Sequence, residues 1–219
     1  MDYDSCKSVS TATLSRLPMY YRYLLNLQKN GKSNVSSATM SLGMNLSAIQ
    51  VRKDLACVSS VAGKPKTGFD VDELVKDIAS FLGYDNTTDA IIVGVGQLGK
   101  TLLSYDGFQN YGINIVAGFD IDEMLYQKRI NGKVVMPMEK LKNFVKRLNV
   151  HIGIITVPSQ DAQEVCDRLI EAGIKAIWNF APTHITVPDG VVVKNEDIAA
   201  SLAILSSKLK KLYEGEEIL

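Results

Sequence analysis

Histidine is scarce in this chain: two residues in 219, His151 and His184. Chemistry that moves a proton needs a positioned acid or base, and histidine serves most often. His151 opens a β-rich stretch and His184 follows a strand-end loop without an evident partner, so neither reads as catalytic. Cysteine is scarce too. Cys6, Cys57 and Cys166 are odd in number and form no CxxC pair. A disulfide framework is not indicated, no metal site is expected, and the setting is expected to be cytoplasmic. No apolar run reaches the ~20 residues that cross a bilayer, and the opening MDYDSCKS lacks the apolar core of a signal peptide. No membrane partner is expected. Repeats and low-complexity segments are missing as well.

Net charge is also missing, with 24 Lys and Arg against 24 Asp and Glu. That balance first argues against nucleic acid, but the average hides a split. Between Arg16 and Gly68 stand eight cations and a single acid, Asp54, a net of +7, so the rest of the chain carries −7. A basic front on an acidic body is expected where one segment meets a polyanion. The alternative is a solvated basic face.

What is present begins with short helices. Residues 1 to about 13 are polar and read as loose. Pro18 suits a first helical turn. Leu17, Tyr20, Tyr21, Leu24 and Leu27 then make one apolar seam, which Asn30-Gly31 ends. Ser36 or Ser37 caps a short helix, SATMSL, broken at Gly43-Met44-Asn45. Ser47 and Gln50 form a capping box for a third helix, about Ser47 to Val58. Its Val51, Leu55 and Val58 face the core beside Ala48, while Ile49 and Lys53 point away and Gln50 and Arg52 flank them. Three helices with a tight glycine turn are the layout of a helix-turn-helix. In a major groove Ile49 would meet a thymine methyl, and Arg52 and Lys53 would hold phosphates. Gln50 is either a base reader or only a cap partner. The stretch AGKPKTGF reads as a basic hairpin tip, a wing, with Lys64 and Lys66 on phosphate. An ordinary solvated turn is the alternative. A helix striped by Val71, Leu74, Val75, Ile78 and Leu82 follows, and Gly83 closes a first domain of residues 1–83.

A second domain, residues 84–195, opens on the strand AIIV and runs into Gly94-Val95-Gly96-Gln97-Leu98-Gly99. A lone GxGxxG is weak evidence, but this one has a strand before it and a helix after it. Gly94 permits the turn, Gly96 lets a pyrophosphate approach, and Gly99 lets helix pack on strand. The strand INIVAGFD ends at Asp120, an acid suited to ribose hydroxyls and repelling to a 2′-phosphate, which favours NAD(H) over NADP(H). Strands NVHIGIITVP, IKAIWNFAP and GVVVKN continue the alternation with helices. The fold class is therefore α/β, with a Rossmann-like, doubly wound parallel sheet. Ligands in such sheets sit at strand C-terminal ends. That places Thr156, Val157, Pro158, Asn179, Phe180, Ala181 and Pro182 near the nicotinamide half. The last segment, residues 196–219, is one amphipathic helix striped by Ile198, Leu202, Leu205, Leu209 and Leu212. It is expected to pack on a second subunit, or else on its own domain.

In order and spacing, LSRLPMYYRYL, VSSATMS, QVRKDL, GKPKTGF, VGVGQLG, AGFDID, TVPSQDAQ, EAGIKAIWNFAP and VPDGVVV resemble the Rex family of redox-sensing transcriptional repressors. The resemblance covers nearly the whole chain from Leu14 onward. It implies a homodimer that binds a palindromic double-stranded operator through winged-helix domains. NADH, an effector and not a redox cofactor, releases the DNA, and NAD+ competes. The C-terminal helix is domain-swapped. Gly94 to Gly99 match the family's pyrophosphate loop and Asp120 its ribose acid, with Ile121 beside it. Tyr105 and the partner subunit's Asp197 match the residues that sense the nicotinamide, and Arg16 one that pairs with that aspartate in one redox state. Ser47 and Arg16 join Ile49, Gln50, Arg52, Lys53, Lys64 and Lys66 as candidates at the DNA. No enzymatic activity is expected. A small NAD-dependent oxidoreductase and a CoA- or nucleotide-binding module are the alternatives.

Overall fold

The computed structural model describes residues 9–60, 63–64 and 67–214. The chain divides into two compact units, Met1–Asn86 and Thr87–Leu219.

In the first unit, helix α1 spans Thr11–Lys29. Pro18 does not open it, contrary to the sequence expectation, but lies inside it. Ser10 is the cap, its side chain accepting a hydrogen bond from the Thr13 N–H. An interior proline forfeits one backbone hydrogen bond. Burial of Thr13 before it and Leu17, Tyr20, Tyr21 and Leu24 around it outweighs that loss, because tertiary packing decides helix stability. Residues 11–13 are thus helical, and not loose. Strand β1 (Asn34–Val35) precedes α2 (Ser37–Met44), which Ser36 caps. Gly43 stays within α2, where the Tyr23 ring lies on it, and the turn falls at Asn45, in the left-handed region at φ 53°. Helix α3 (Ala48–Ala56) starts at its cap, Ser47. Beyond it, Lys64 and Gly68 exchange two backbone hydrogen bonds, closing a hairpin tip. Lys66 lies outside the described residues. Strand β2 (Phe69–Asp70) pairs antiparallel with β1, and α4 (Val71–Leu82) returns to pack on α1.

The second unit is a seven-stranded sheet. Its strands are β3 (Thr88–Val93), β4 (Ile113–Asp120), β5 (Arg129–Ile130), β6 (Lys133–Pro137), β7 (Ile152–Ile155), β8 (Ala176–Asn179) and β9 (Val192–Asn195), in the order β5-β6-β4-β3-β7-β8-β9. All neighbours are parallel except the β5–β6 hairpin, which turns at Asn131-Gly132, both at positive φ. Alternation along β3 explains the two layers. Ile91 and Val93 pack with helices α6 (Leu141–Leu148) and α7 (Ala162–Ala172), while Ala90 and Ile92 pack with Leu103 of α5 (Gln97–Ser104). A winged helix-turn-helix unit followed along the chain by a doubly wound sheet is the expected architecture. Helix α8 (Ile198–Glu214) is exposed along its whole length. No described helix is long and apolar enough to cross a membrane.

Candidate nucleotide and DNA sites

The glycine loop follows from local need. β3 ends buried at Val93, and the chain must reverse at once into α5. Gly94 does so at φ +92°, and a Cβ there would sit 2.9 Å from the Thr156 backbone. Gly99 is closer still, with a Cβ only 2.0 Å from the Gly94 carbonyl oxygen. Gly96, the N-cap of α5, is different: nothing lies within 4 Å of its Cβ position. The loop therefore leaves free space at a helix start, where backbone N–H groups and the helix dipole favour an anion. Thr156 ties the loop to β7, its hydroxyl donating to the Gly94 and Val93 carbonyls.

A cavity of about 440 Å³ opens beside the loop. Seven expected residues line it: Gly94, Gly96, Asp120, Ile121, Thr156, Val157 and Pro158. The volume falls in the range of small-molecule sites. Asp120, at the end of β4, accepts from the Val95 N–H through one carboxylate oxygen and from the Asp122 N–H at 2.9 Å through the other. The acid thus braces the glycine loop and brings a negative charge to the cavity wall. Six lining residues escaped the sequence reading: Val93, Met138, Asp161, Glu164, Val165 and Arg168. Arg168 and Glu164 stand one helical turn apart on α7, and Arg168 is steadied by the Met138 carbonyl at 3.2 Å. Their i, i+4 spacing was a visible signal, since α7 starts at the ligand end of β7.

Other expected ligands fall elsewhere. Val95 is fully buried and its N–H is committed to Asp120, so it is a core residue. Gln97 and Leu98 are exposed on the first turn of α5, off the cavity lining. Asn179 is off the cavity lining: its amide is buried and bonds to Ala181, Thr183 and Asn195, fastening the β8 loop to β9. Ala181 is buried with it, Pro182 is exposed, and the Phe180 ring lies against Trp178 at 4.4 Å, tilted by 55°. Tyr105 caps α5, is 55% exposed and lies edge-on to Phe108 at 5.0 Å. Asp197 is exposed and N-caps α8, accepting from the Ala200 N–H at 2.7 Å.

In the first unit, α3 presents Ile49, 61% exposed, with Arg52 and Lys53 on solvent. Lys64 is exposed at the hairpin tip. Gln50 forms only half a capping box. Its N–H donates to Ser47, but its side chain turns to Asp54 at 2.8 Å and not back to the cap. Arg16 is likewise engaged by Asp54, through Nε at 2.7 Å and Nη2 at 2.8 Å. Asp54 is 1% exposed. Burial alone would push its carboxyl up. Hydrogen bonds from Arg16, Tyr20, Gln50 and Thr13 outweigh burial and hold it at about 2. The Tyr20 hydroxyl is pushed up, first by burial and then by the Asp54 bond.

Two family models match the chain: a putative DNA-binding protein N-terminus over residues 8–56 and a CoA binding domain over residues 85–183. The redox-sensing transcriptional repressor Rex of Carboxydothermus hydrogenoformans is 42% identical over 203 residues, covering 93% of this chain and 97% of the relative. The Rex of Porphyromonas gingivalis is 40% identical over 204 residues, 93% of each chain. The structure is similar to that of RSP, a Rex-family repressor, in complex with β-NAD+ and operator DNA. The TM-score is 0.86 at 38% identity, over 97% of this chain and all of that one. RSP with β-NADH matches at a TM-score of 0.84 and 37% identity, over 95% and 99%. With both of its units matched in order and nearly end to end, the chain belongs to the Rex family of redox-sensing transcriptional repressors.

Proposed function

We propose that this chain is a cytoplasmic repressor that binds a palindromic operator as a homodimer and leaves it when NADH enters the glycine-loop cavity. The observation that carries this is a pairing within one chain. One unit exposes a cationic helix beside a hairpin tip. The other holds a cavity bounded by the space at Gly96 and the Asp120 carboxylate. NAD(H) fits that cavity: Gly96 leaves room for phosphate, and Asp120 suits ribose hydroxyls. The nucleotide acts as effector, not as redox cofactor, and the chain is not an enzyme. The likeness to a CoA binding domain keeps CoA as the second ligand to test.

Reduced nicotinamide is neutral and oxidised nicotinamide cationic, so a nearby carboxylate meets different surroundings in the two states. A ligand shifts a two-state protein only by its differential affinity for the states. Labelled operator, selected from random DNA, is expected to be released by NADH and not by equal NAD+ in fluorescence anisotropy at fixed salt. DNA that ignores both nucleotides but responds to CoA would replace this reading with the second.

Asp197 allows a separate check, because its cap and its charge can be parted. Asp197→Asn keeps an acceptor for the Ala200 N–H and removes the charge. Asp197→Ala removes both, with a cap loss of about 1 kcal/mol. Both variants are expected to blunt the NADH to NAD+ affinity ratio, and only alanine to loosen α8 in circular dichroism. An unchanged ratio in the asparagine variant takes Asp197 out of redox sensing.

A further inference from the structure

The only acid between Arg16 and Gly68 sits on the helix that would enter the DNA. A carboxylate there should repel phosphate, yet Asp54 faces inward and receives five hydrogen bonds. Oδ1 accepts from the Thr13 hydroxyl at 3.1 Å, Arg16 Nη2 at 2.8 Å and Gln50 Nε2 at 2.8 Å. Oδ2 accepts from Arg16 Nε at 2.7 Å and the Tyr20 hydroxyl at 2.6 Å. A staple between α1 and α3 needs no charge, since apolar residues of like volume do that at least as well as a buried ion pair. One member of the cluster is not needed for the staple. Gln50 is on α3 itself, one turn before Asp54, half-buried and flanked by exposed Ile49 and Lys53.

An ionised carboxylate only accepts, so the Gln50 nitrogen must face it. That fixes the amide plane and directs Oε1 away from Asp54. A glutamine side chain is otherwise free to swing, and its reading of a base is only as selective as its placement. We infer that Asp54 is a specificity-positioning residue: it holds the Gln50 amide so that Oε1 accepts from the exocyclic amine of a base, adenine N6 or cytosine N4, in the major groove. Arg16 neutralises the buried charge and is thereby removed from phosphate binding. The inference rests on the operator-binding reading above.

The test uses the full chain and an operator enriched from random DNA by the native protein. Anisotropy at fixed salt is measured over every single base-pair change in one half-site, for the native chain, Asp54→Asn and Gln50→Leu. The native chain is expected to discriminate at least ~10-fold at one A·T or C·G position through Gln50. Both variants should flatten that same position to within ~3-fold while relative preferences at other positions stay within ~2-fold; a non-specific duplex should stay within ~2-fold for Gln50→Leu, whereas Asp54→Asn, by freeing Arg16, can only raise it uniformly. Which base is preferred separates adenine from cytosine. A native chain that enriches no sequence overturns the repressor reading itself. Retained preference in Asp54→Asn, or a uniform loss at all positions with a lowered Tm, overturns the positioning role alone. Should Asp54→Asn not fold, NMR of the native chain decides. Slowly exchanging, separately resolved Gln50 side-chain amide protons support the anchor, and rapidly exchanging ones refute it.

Discussion

Gly96→Ala is expected to leave the protein as stable as before and nearly blind to NADH. The free loop offers the new methyl open space, with nothing within 4 Å of the Cβ position. Its φ of −69° is one that alanine adopts without strain. No cost in the free protein is therefore expected beyond a few tenths of a kcal/mol. The methyl instead occupies the space at the start of α5 where a pyrophosphate would meet the backbone. Overlap with a bound group costs about 1–3 kcal/mol, or roughly 5- to 150-fold in affinity. Gly99→Ala is the contrast. There a Cβ meets the Gly94 carbonyl at 2.0 Å and the Thr156 hydroxyl at 2.9 Å, so the loop must move even without ligand. That variant should lose both Tm and NADH affinity. NADH fluorescence titration beside thermal unfolding separates the cases. Native-like NADH binding by Gly96→Ala would mean that no phosphate uses that space.

The glycine loop was legible because its demands are local. A positive φ at Gly94 and a close approach at Gly99 require glycine whatever the rest of the chain does, and a strand and helix on either side fix the context. The apolar seams of α1, α3 and α4 were legible for the same reason, since each needs only its own spacing. One feature was misjudged and one was missed although local signals existed. Ser10 outranks Pro18 as the start of α1, because a cap supplies a missing hydrogen bond while a proline only tolerates its absence. Asn131-Gly132, a hairpin pair, announces β5–β6. Asp54 had one local signal, the i, i+4 spacing from Gln50, and none for the rest of its bonds. Its partners Thr13, Arg16 and Tyr20 lie 34 to 41 residues away, and an acid inside a basic helix looks like any solvated charge until the helices are packed. Asn179 shows a different limit. Its place at a strand end suits a ligand contact, but its spacing in the chain gives no sign that the buried amide bonds to the adjacent loop and β9.

A chain carrying Leu202→Glu and Leu209→Glu is expected to be a monomer that has lost most of its operator affinity. Ile198, Leu202, Leu205, Leu209 and Leu212 repeat at helical spacing on α8 and are 48–67% exposed. A stripe of that size does not stay in water at little cost, as burying each such side chain is worth about 1.5–3 kcal/mol. In a two-fold dimer the same patch is buried on both chains, so the gain counts twice. Two glutamates placed in that interface would lie without partners, and an uncompensated buried charge costs several kcal/mol. The consequence for DNA follows from symmetry. A palindrome offers two equal half-sites, and a dimer engages the second at the high effective concentration set by the first. A monomer keeps one α3 and one hairpin tip, and its operator affinity should fall by about 100-fold or more at fixed salt. Sedimentation equilibrium and anisotropy on the same samples decide the point. Monomers that bind the full operator normally would show that each unit acts alone. A dimer that survives both substitutions would mean that the stripe packs against its own sheet. In that case Trp178 and Phe180, half-buried and in ring contact on one face of that sheet, are the surface to probe for it.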